Sequence, residues 1–315
     1  MAVVINIVLL ILGFVLLVKG ADFFVDGAAS LARKLGIPSL VVGLTIVAIG
    51  TGAPELAVSI SAAAKGANSL AVSNVIGSNT FNLLVVLGVC ALFKPVGVTK
   101  DILKRDYPFS LLATAVFFVL LLTGGVMHRA EALILLAIFV VYIVMTVVPA
   151  MKQKGGDKEQ QQKFVWWKCA LCIIGGAGAI VLGGQFVVDN ASALGAAVGM
   201  SETLIGLTIC AVGTSLPELV TSIAAAKKGE TDMAMGNVIG SNIMNIVLTL
   251  GLSGAISPIA IDAAAFTNTL IDCGIYAGVC LMAYIFCLTQ KKITRAEGAL
   301  LLACYAAYMV YAVIR

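Results

Sequence analysis

Long apolar runs, each closed by charged residues or by glycine and proline, follow one another along the whole chain. A helix needs about 20 apolar residues to cross the hydrocarbon of a bilayer, and the runs match that length. They predict spanning helices near residues 3–20, 39–64, 70–92, 108–123, 130–149, 166–188, 204–226, 233–253, 265–289 and 296–314, ten in all. The one strongly polar stretch, KQKGGDKEQQQK from Lys152 to Lys163, follows the fifth run and reads as a solvated linker. The pattern predicts an all-α polytopic membrane protein of ten transmembrane helices: five in residues 1–150, a linker at 151–164, and five in residues 165–315.

Composition strengthens this reading. Hydrophobic residues make up 61% of the 315 and charged residues 11%, against roughly a quarter charged in a soluble domain. A soluble fold is excluded, and any chemistry must sit inside the membrane. The net charge of +4 resides in short loops, so it reports orientation and not a nucleic-acid partner. With the N-terminus outside, the inside loops carry Arg33, Lys34, Lys94, Lys100, Lys104, Arg105, the linker lysines, Lys168, Lys227, Lys228, Lys291, Lys292 and Arg295. Only Lys65, Arg129 and Arg315 then face outside, with Lys19 at the inner end of the first span. The expectation is a cell-membrane protein with both termini external and the linker cytoplasmic. The first apolar run lacks the positive n-region of a cleavable signal.

The two halves repeat each other. Gly20 to Gly88 aligns with Gly183 to Gly251 at a constant offset of 163, without a gap. GLTIVAIGTGAPELAVSI faces GLTICAVGTSLPELVTSI, and NVIGSNTFN faces NVIGSNIMN. Chance similarity between apolar segments would reproduce Leu, Val and Ile; here the rare polar residues, glycines and prolines coincide. Five spans is an odd number, so the second copy enters the membrane inverted, an arrangement that gives transporters a midplane site opening alternately to each side.

The repeated residues carry cation chemistry. Glu55 follows Gly50, Thr51, Gly52, Ala53 and Pro54; Glu218 follows Gly213, Thr214, Ser215, Leu216 and Pro217. Proline removes a backbone donor and clashes with the carbonyl four residues back, which predicts a broken helix freeing carbonyls from about Ala48 to Thr51 and Ala211 to Thr214. Such backbone is tolerated at membrane depth only where it lines a cavity or is otherwise satisfied. A carboxylate at the bilayer centre costs at least about 2.5–3.5 kcal/mol on insertion scales, and two at equivalent positions point to function; glutamates that merely pack helices would not explain why Thr, Pro and Glu repeat together. The following span adds Ser78 and Asn82, four apart on one helical face, matched by Ser241 and Asn245. Asn74, Asn79 and their mates Asn237 and Asn242 read as caps or bridges between helices. Two carboxylates among neutral oxygens, without His or Cys, suit hard cations such as Ca²⁺ and Na⁺; Zn²⁺ and copper prefer nitrogen or sulfur, and Mg²⁺ dehydrates reluctantly.

GTGAPE and GTSLPE, each followed by NVIGSN, resemble the two α-repeats of the sodium/calcium exchanger family within the cation/calcium antiporters, across both halves and all ten spans. The resemblance implies eight helices around the site, with spans 1 and 6 sliding across it, and one Ca²⁺ competing with three Na⁺. By position it implies central carboxylates at Glu55 and Glu218, carbonyl and hydroxyl oxygens from Thr51 and Thr214, and backbone carbonyls from Ala48 and Ala211. Ser78 and Ser241 match flanking sodium ligands, and Asn82 a midplane ligand. Two positions depart from the family. Gly52 stands where many relatives, and this chain's own Ser215, carry a hydroxyl. Asn245 stands where many carry Asp.

The implied activity is electrogenic Ca²⁺/Na⁺ antiport without a cofactor; the protein is not an enzyme, its partners are the ions and the lipid bilayer, and Ca²⁺/H⁺ exchange is the alternative. A passive channel gains little from a deep two-carboxylate trap, and enzymatic acid/base work lacks a metal or nucleophile partner. The remaining polar features take plainer readings. Asp26 and Asp189 are expected as interfacial caps or gate contacts, Trp166 and Trp167 as a headgroup anchor, His128 as solvated, and the Cys169/Cys172 pair as helix packing.

Overall fold

The computed structural model describes residues 2–66, 68–122, 125–152, 166–199, 211–261 and 263–314. Its helices are α1 (Ala2–Leu35), α2 (Ser39–Thr51), α3 (Ala53–Ala64), α4 (Asn68–Phe93), α5 (Ile102–Leu122), α6 (Arg129–Lys152), α7 (Trp166–Ala197), α8 (Ala211–Thr214), α9 (Leu216–Lys227), α10 (Thr231–Ile256), α11 (Ala263–Gln290) and α12 (Arg295–Ile314). Among the described residues seven helices are long and apolar enough to cross a membrane, and α2 with α3, bent by 50° at Gly52, adds an eighth if the pair is one span. The chain is an all-helical polytopic membrane protein. Residues 204–210 of the expected seventh span and 153–164 of the linker lie outside the described residues.

Several boundaries differ from the hydropathy reading, each for a local reason. The first span was expected to end at residue 20, yet α1 continues unbroken to Leu35. Gly20 is a contact surface and not a stop. The helix ends instead where Gly36 takes φ +64° before Pro38, the usual left-handed helix terminus. Likewise α7 runs to Ala197 instead of 188, and Gly199 has φ +87°. The fourth span begins at Ile102 and not at 108, because Ile102–Asp106 forms a π-helical turn.

The two long helices α1 and α7 pack through small residues. A methyl on Gly13 would lie 2.9 Å from the Gly183 carbonyl oxygen, and one on Gly20 would lie 3.0 Å from that of Gly176. Gly13 and Gly176 are repeat mates, as are Gly20 and Gly183, so the two contacts interchange when the halves are exchanged. Lipid offers no hydrophobic gain for helix association, and close backbone approach through small residues supplies the packing instead.

Helices α4 and α10 are the most deeply buried of the crossing helices. Each contains a π-turn at a matching place, Asn82–Val86 and Asn245–Thr249. Four two-residue strands, absent from the hydropathy reading, tie the loops. β1 (Val96–Gly97) pairs antiparallel with β4 (Lys292–Ile293), and β2 (Val126–Met127) with β3 (Ile259–Ala260). Seven cysteines among the described residues are free, and Cys169 donates to the Gly27 carbonyl at 3.3 Å, which is helix packing.

Candidate ion-binding site

The two proline-bearing breaks are side by side at the centre of the helices. At the first, Gly52 interrupts the helix with φ −77° and ψ 3°; at the second, Ser215 does so with φ −94° and ψ 6°. The interruption is one residue long, narrower than the sequence suggested. Gly52 N–H still donates to the Ala48 carbonyl at 3.0 Å, so that oxygen stays in the helical ladder and is not freed. Ser215 N–H donates to Val212 O at 3.2 Å. Only the backbone of Ala211 is described.

Glu55 and Glu218 are fully buried, each in the first turn of the helix after its break, where amide dipoles favour negative charge. Their surroundings differ. The hydroxyls of Ser78 and Ser215 lie 3.2 and 3.0 Å from Glu55 Oε1 and 2.8 Å from each other. Two hydroxyl protons thus serve three contacts in a triangle built from both halves of the chain. Glu218 has no such triangle. Among the described residues both its carboxylate oxygens, Glu55 Oε2, Asn82 Oδ1 and Ser241 Oγ are buried without a hydrogen-bond partner. Burying such groups unpaired costs free energy, and all five are oxygens.

The asparagines frame these groups. Asn74 Nδ2 donates to the Glu55 carbonyl (3.2 Å) and to Ser59 Oγ (2.9 Å); Asn237 does the same to the Glu218 carbonyl (3.5 Å) and Ser222 Oγ (2.9 Å). Asn79 and Asn242 reach across to each other's main chain. Asn82 Nδ2 donates to Asn242 Oδ1 at 3.1 Å, and Asn245 Nδ2 to Asn79 Oδ1 at 2.9 Å. Thr51 Oγ1 lies 3.1 Å from both Val47 O and Asn237 Oδ1 and donates between them. Thr214 is half-buried at the end of α8.

The family model for the sodium/calcium exchanger protein matches residues 5–148 and 168–314. The chain belongs to the sodium/calcium exchanger family. It is 37% identical over 350 aligned residues to the sodium/calcium exchanger MaX1 of Methanosarcina acetivorans, covering 98% of both chains. It is 38% identical to the putative antiporter CaxA of Alkalimonas amylolytica, covering 96% of both. A solved structure of the sodium-calcium exchanger NCX_Mj, soaked with 10 mM Na⁺ and 10 mM Sr²⁺, superposes with a TM-score of 0.86 at 30% identity, covering 98% of each chain. The protein is a transmembrane antiporter of this family, a transporter and not an enzyme.

In this exchanger the structure brings Glu55, Ser78 and Ser215 into direct contact and joins Asn245 to Ser78 at 3.3 Å. Ser241 Oγ, Asn82 Oδ1 and both Glu218 carboxylate oxygens stay buried without a hydrogen-bond partner among the described residues. Among the described residues no group of three or more His, Cys, Asp or Glu is placed to hold a metal ion; the acidic groups at the two breaks are the two carboxylates of Glu55 and Glu218. The sequence reading missed Ser59 and Ser222, although they recur at the same place in ELAVSI and ELVTSI. It also passed over Asp106, buried in α5 and held by Arg105 through bonds of 2.9 and 3.1 Å. Asp26 is a contact of the first helix, paired with Lys228 Nζ at 2.7 Å, and His128 is exposed.

Proposed function

We propose that this antiporter exchanges Ca²⁺ for Na⁺ by alternating access, electrogenically, with Ca²⁺ extrusion driven by the sodium gradient. The observation that carries the reading is the set of five buried oxygens, three on Glu55 and Glu218 and one each on Asn82 and Ser241, that have no hydrogen-bond partner among the described residues, beside a hydroxyl–carboxylate triangle drawn from both halves. Hard oxygen donors with two negative charges suit one Ca²⁺ or, in its place, Na⁺ ions sharing the same ligands. In this reading the ligands are Glu55 and Glu218 with Thr51, Thr214, Ser78, Ser241, Ser215, Asn82 and Asn245, and main-chain oxygens at Ala48 and Ala211. Ala48 O contributes only its second lone pair. The names of MaX1 and NCX_Mj, sodium/calcium exchangers both, agree.

The architecture we propose is ten spans in two inverted five-helix repeats, residues 1–150 and 165–315, joined by a cytoplasmic linker at 151–164, with both termini outside the cell membrane. The strand pairs support it. β1 and β3 are repeat mates at the offset of 163, and β1 pairs with β4 while β3 pairs with β2. A ten-span path puts each pair's two loops on one side of the bilayer, β1 with β4 inside and β2 with β3 outside.

Vesicles loaded with Na⁺ and diluted into Na⁺-free medium test the function. ⁴⁵Ca²⁺ uptake that follows the outward Na⁺ gradient, survives collapse of the pH gradient and moves net charge is the expected result. Uptake that follows a proton gradient in the absence of Na⁺ would replace the reading with Ca²⁺/H⁺ exchange.

A further inference from the structure

Helices α4, α11 and α12 meet closely at one level and not at another. Near the start of α12 its backbone touches that of α4 through glycine: a methyl on Gly298 would lie 2.8 Å from the Gly88 carbonyl oxygen. About two turns on, Tyr305 stacks edge-on against Phe81 with ring centroids 5.5 Å apart, and a ring pair at a helix contact needs a wider spacing than a glycine pair. On the α11 side Gly278 offers no side chain to fill the gap; a methyl there would meet no atom within 4 Å. An open groove of 420 Å³ results, backed by Leu84 and lined almost wholly by apolar atoms.

The walls follow helical spacing, taking the i, i+3, i+4 and i+7 positions from Ile275 to Met282 on α11 and from Cys304 to Tyr311 on α12. That rise makes the groove about 10 Å long, so its volume corresponds to a slot about 6 Å across. A helix with its side chains is about 10–12 Å across and does not enter. Hydrocarbon chains in contact lie about 4 Å apart and do. Water finds few polar partners on such walls. The flanks face lipid: α11 is one of the crossing helices, and Leu281 and Val310 beside the groove are 53% and 59% exposed.

We propose that this groove seats an acyl chain of a bilayer lipid. Leu84 belongs to the π-turn Asn82–Val86, so the seated chain packs on the back of the turn that carries Asn82. The other occupant a membrane offers is a second copy of this protein, and the width of the slot excludes its helices.

The test reads occupancy in proteoliposomes of the full-length protein made with a phosphatidylcholine that carries a diazirine in one acyl chain. Irradiation and peptide mass spectrometry locate the label. Random lipid contact follows exposure and favours Val310 and Leu300, 59% and 49% exposed, over the half-buried Cys304 and Tyr308. A seated chain reverses that order, with at least about threefold more label on Cys304 and Tyr308. Gly278→Leu fills the slot and should cut this labelling at least about fivefold; Ala307→Leu fills it from the α12 wall and should do the same, which covers a failure of the first variant to fold. Gly274→Leu is the matched control. A methyl at Gly274 also meets no atom within 4 Å, yet Gly274 lies outside the lining and a leucine there leans toward the preceding turn, so the label should stay. Labelling that follows exposure, or that neither filling variant reduces, would overturn the proposal. So would efficient Cys304-to-Cys304 cross-linking of two copies by a short bismaleimide, which would assign the groove to a dimer.

Discussion

Asn79 and Asn242 exchange hydrogen bonds across the centre of the molecule, the side-chain amide of each donating to the other's main-chain carbonyl, at 3.1 and 3.4 Å. They are repeat mates, 163 residues apart, so the pair lies where the two halves interchange. Asn79 also reaches Tyr276 OH at 3.2 Å and accepts from Asn245. Truncation strands several buried polar groups at once.

Asn79→Ala should therefore lower stability by about 2–4 kcal/mol, since each stranded buried group costs about 1–3 kcal/mol. Thermal melts in detergent measure it. The double variant Asn79→Ala/Asn242→Ala should depart from the sum of the single losses by about 0.5 kcal/mol or more, because the two amides make different bonds but belong to one hydrogen-bond network. Strict additivity would mean that the two amides act separately.

Gly50 gives room to the first helix. A methyl there would meet Phe24 Cζ at 2.7 Å, and Phe24 is fully buried. Overpacking of this kind is met by forced rotamers and backbone shifts. Gly50→Ala should slow Na⁺-driven ⁴⁵Ca²⁺ uptake by about tenfold or more while the protein still folds, and Phe24→Ala in the same chain should restore much of the rate. No rescue would locate the damage in the break itself and not in the seat of Phe24.

Both glutamates should be required for transport. Glu55→Gln and Glu218→Gln keep size and hydrogen-bonding capacity but remove one of the two charges that balance a divalent ion. Each should reduce Na⁺-driven ⁴⁵Ca²⁺ uptake in proteoliposomes to background, about a hundredfold or more, because an unneutralised divalent charge at membrane depth is expensive. Full activity in either variant would rule out a shared site.

Much of this was legible in the sequence because membranes restrict the choices. Lys, Glu and Asn are rare in apolar spans, so Glu55, Glu218 and the NVIGSN segments stood out, and the doubled motif by itself marked them as pairs. Less legible was what depends on three-dimensional neighbours. Gly20 looked like a helix stop and is a packing contact with Gly176. The proline of each break suggested a run of freed carbonyls, while the structure confines the interruption to one residue and keeps Ala48 bonded. The unequal hydrogen bonding of the two glutamates depends on side chains brought together from opposite halves, although Gly52 facing Ser215 in the repeat already marked where to look. Ser59 and Ser222 were visible as repeated residues, but nothing in sequence said that Asn74 and Asn237 would clamp them.

The C-terminal half of α1 is tied down by charge. Lys228 Nζ donates to the Asp22 carbonyl at 2.7 Å and pairs with Asp26 at 2.7 Å, and Arg33 meets Glu230 at 3.4 Å. The repeat mates of Lys228 and Asp26 are Lys65 and Asp189, and among the described residues no ion pair joins them. If α1 slides during exchange, this one-sided tether opposes the movement. Both partners are partly exposed, and exposed pairs contribute about 0–1 kcal/mol, so the tether adjusts the rate without acting as an absolute gate. Lys228→Met should raise Na⁺-driven ⁴⁵Ca²⁺ uptake by up to about fivefold at low ionic strength, the rate equivalent of about 1 kcal/mol. The difference should fade near 1 M choline chloride, where the screening length falls to about 3 Å. Lys65→Met, with no ion pair to break among the described residues, should leave the rate unchanged. A slower Lys228→Met protein, or a gain that persists at high salt, would show that Lys228 supports the helix by packing and not by charge.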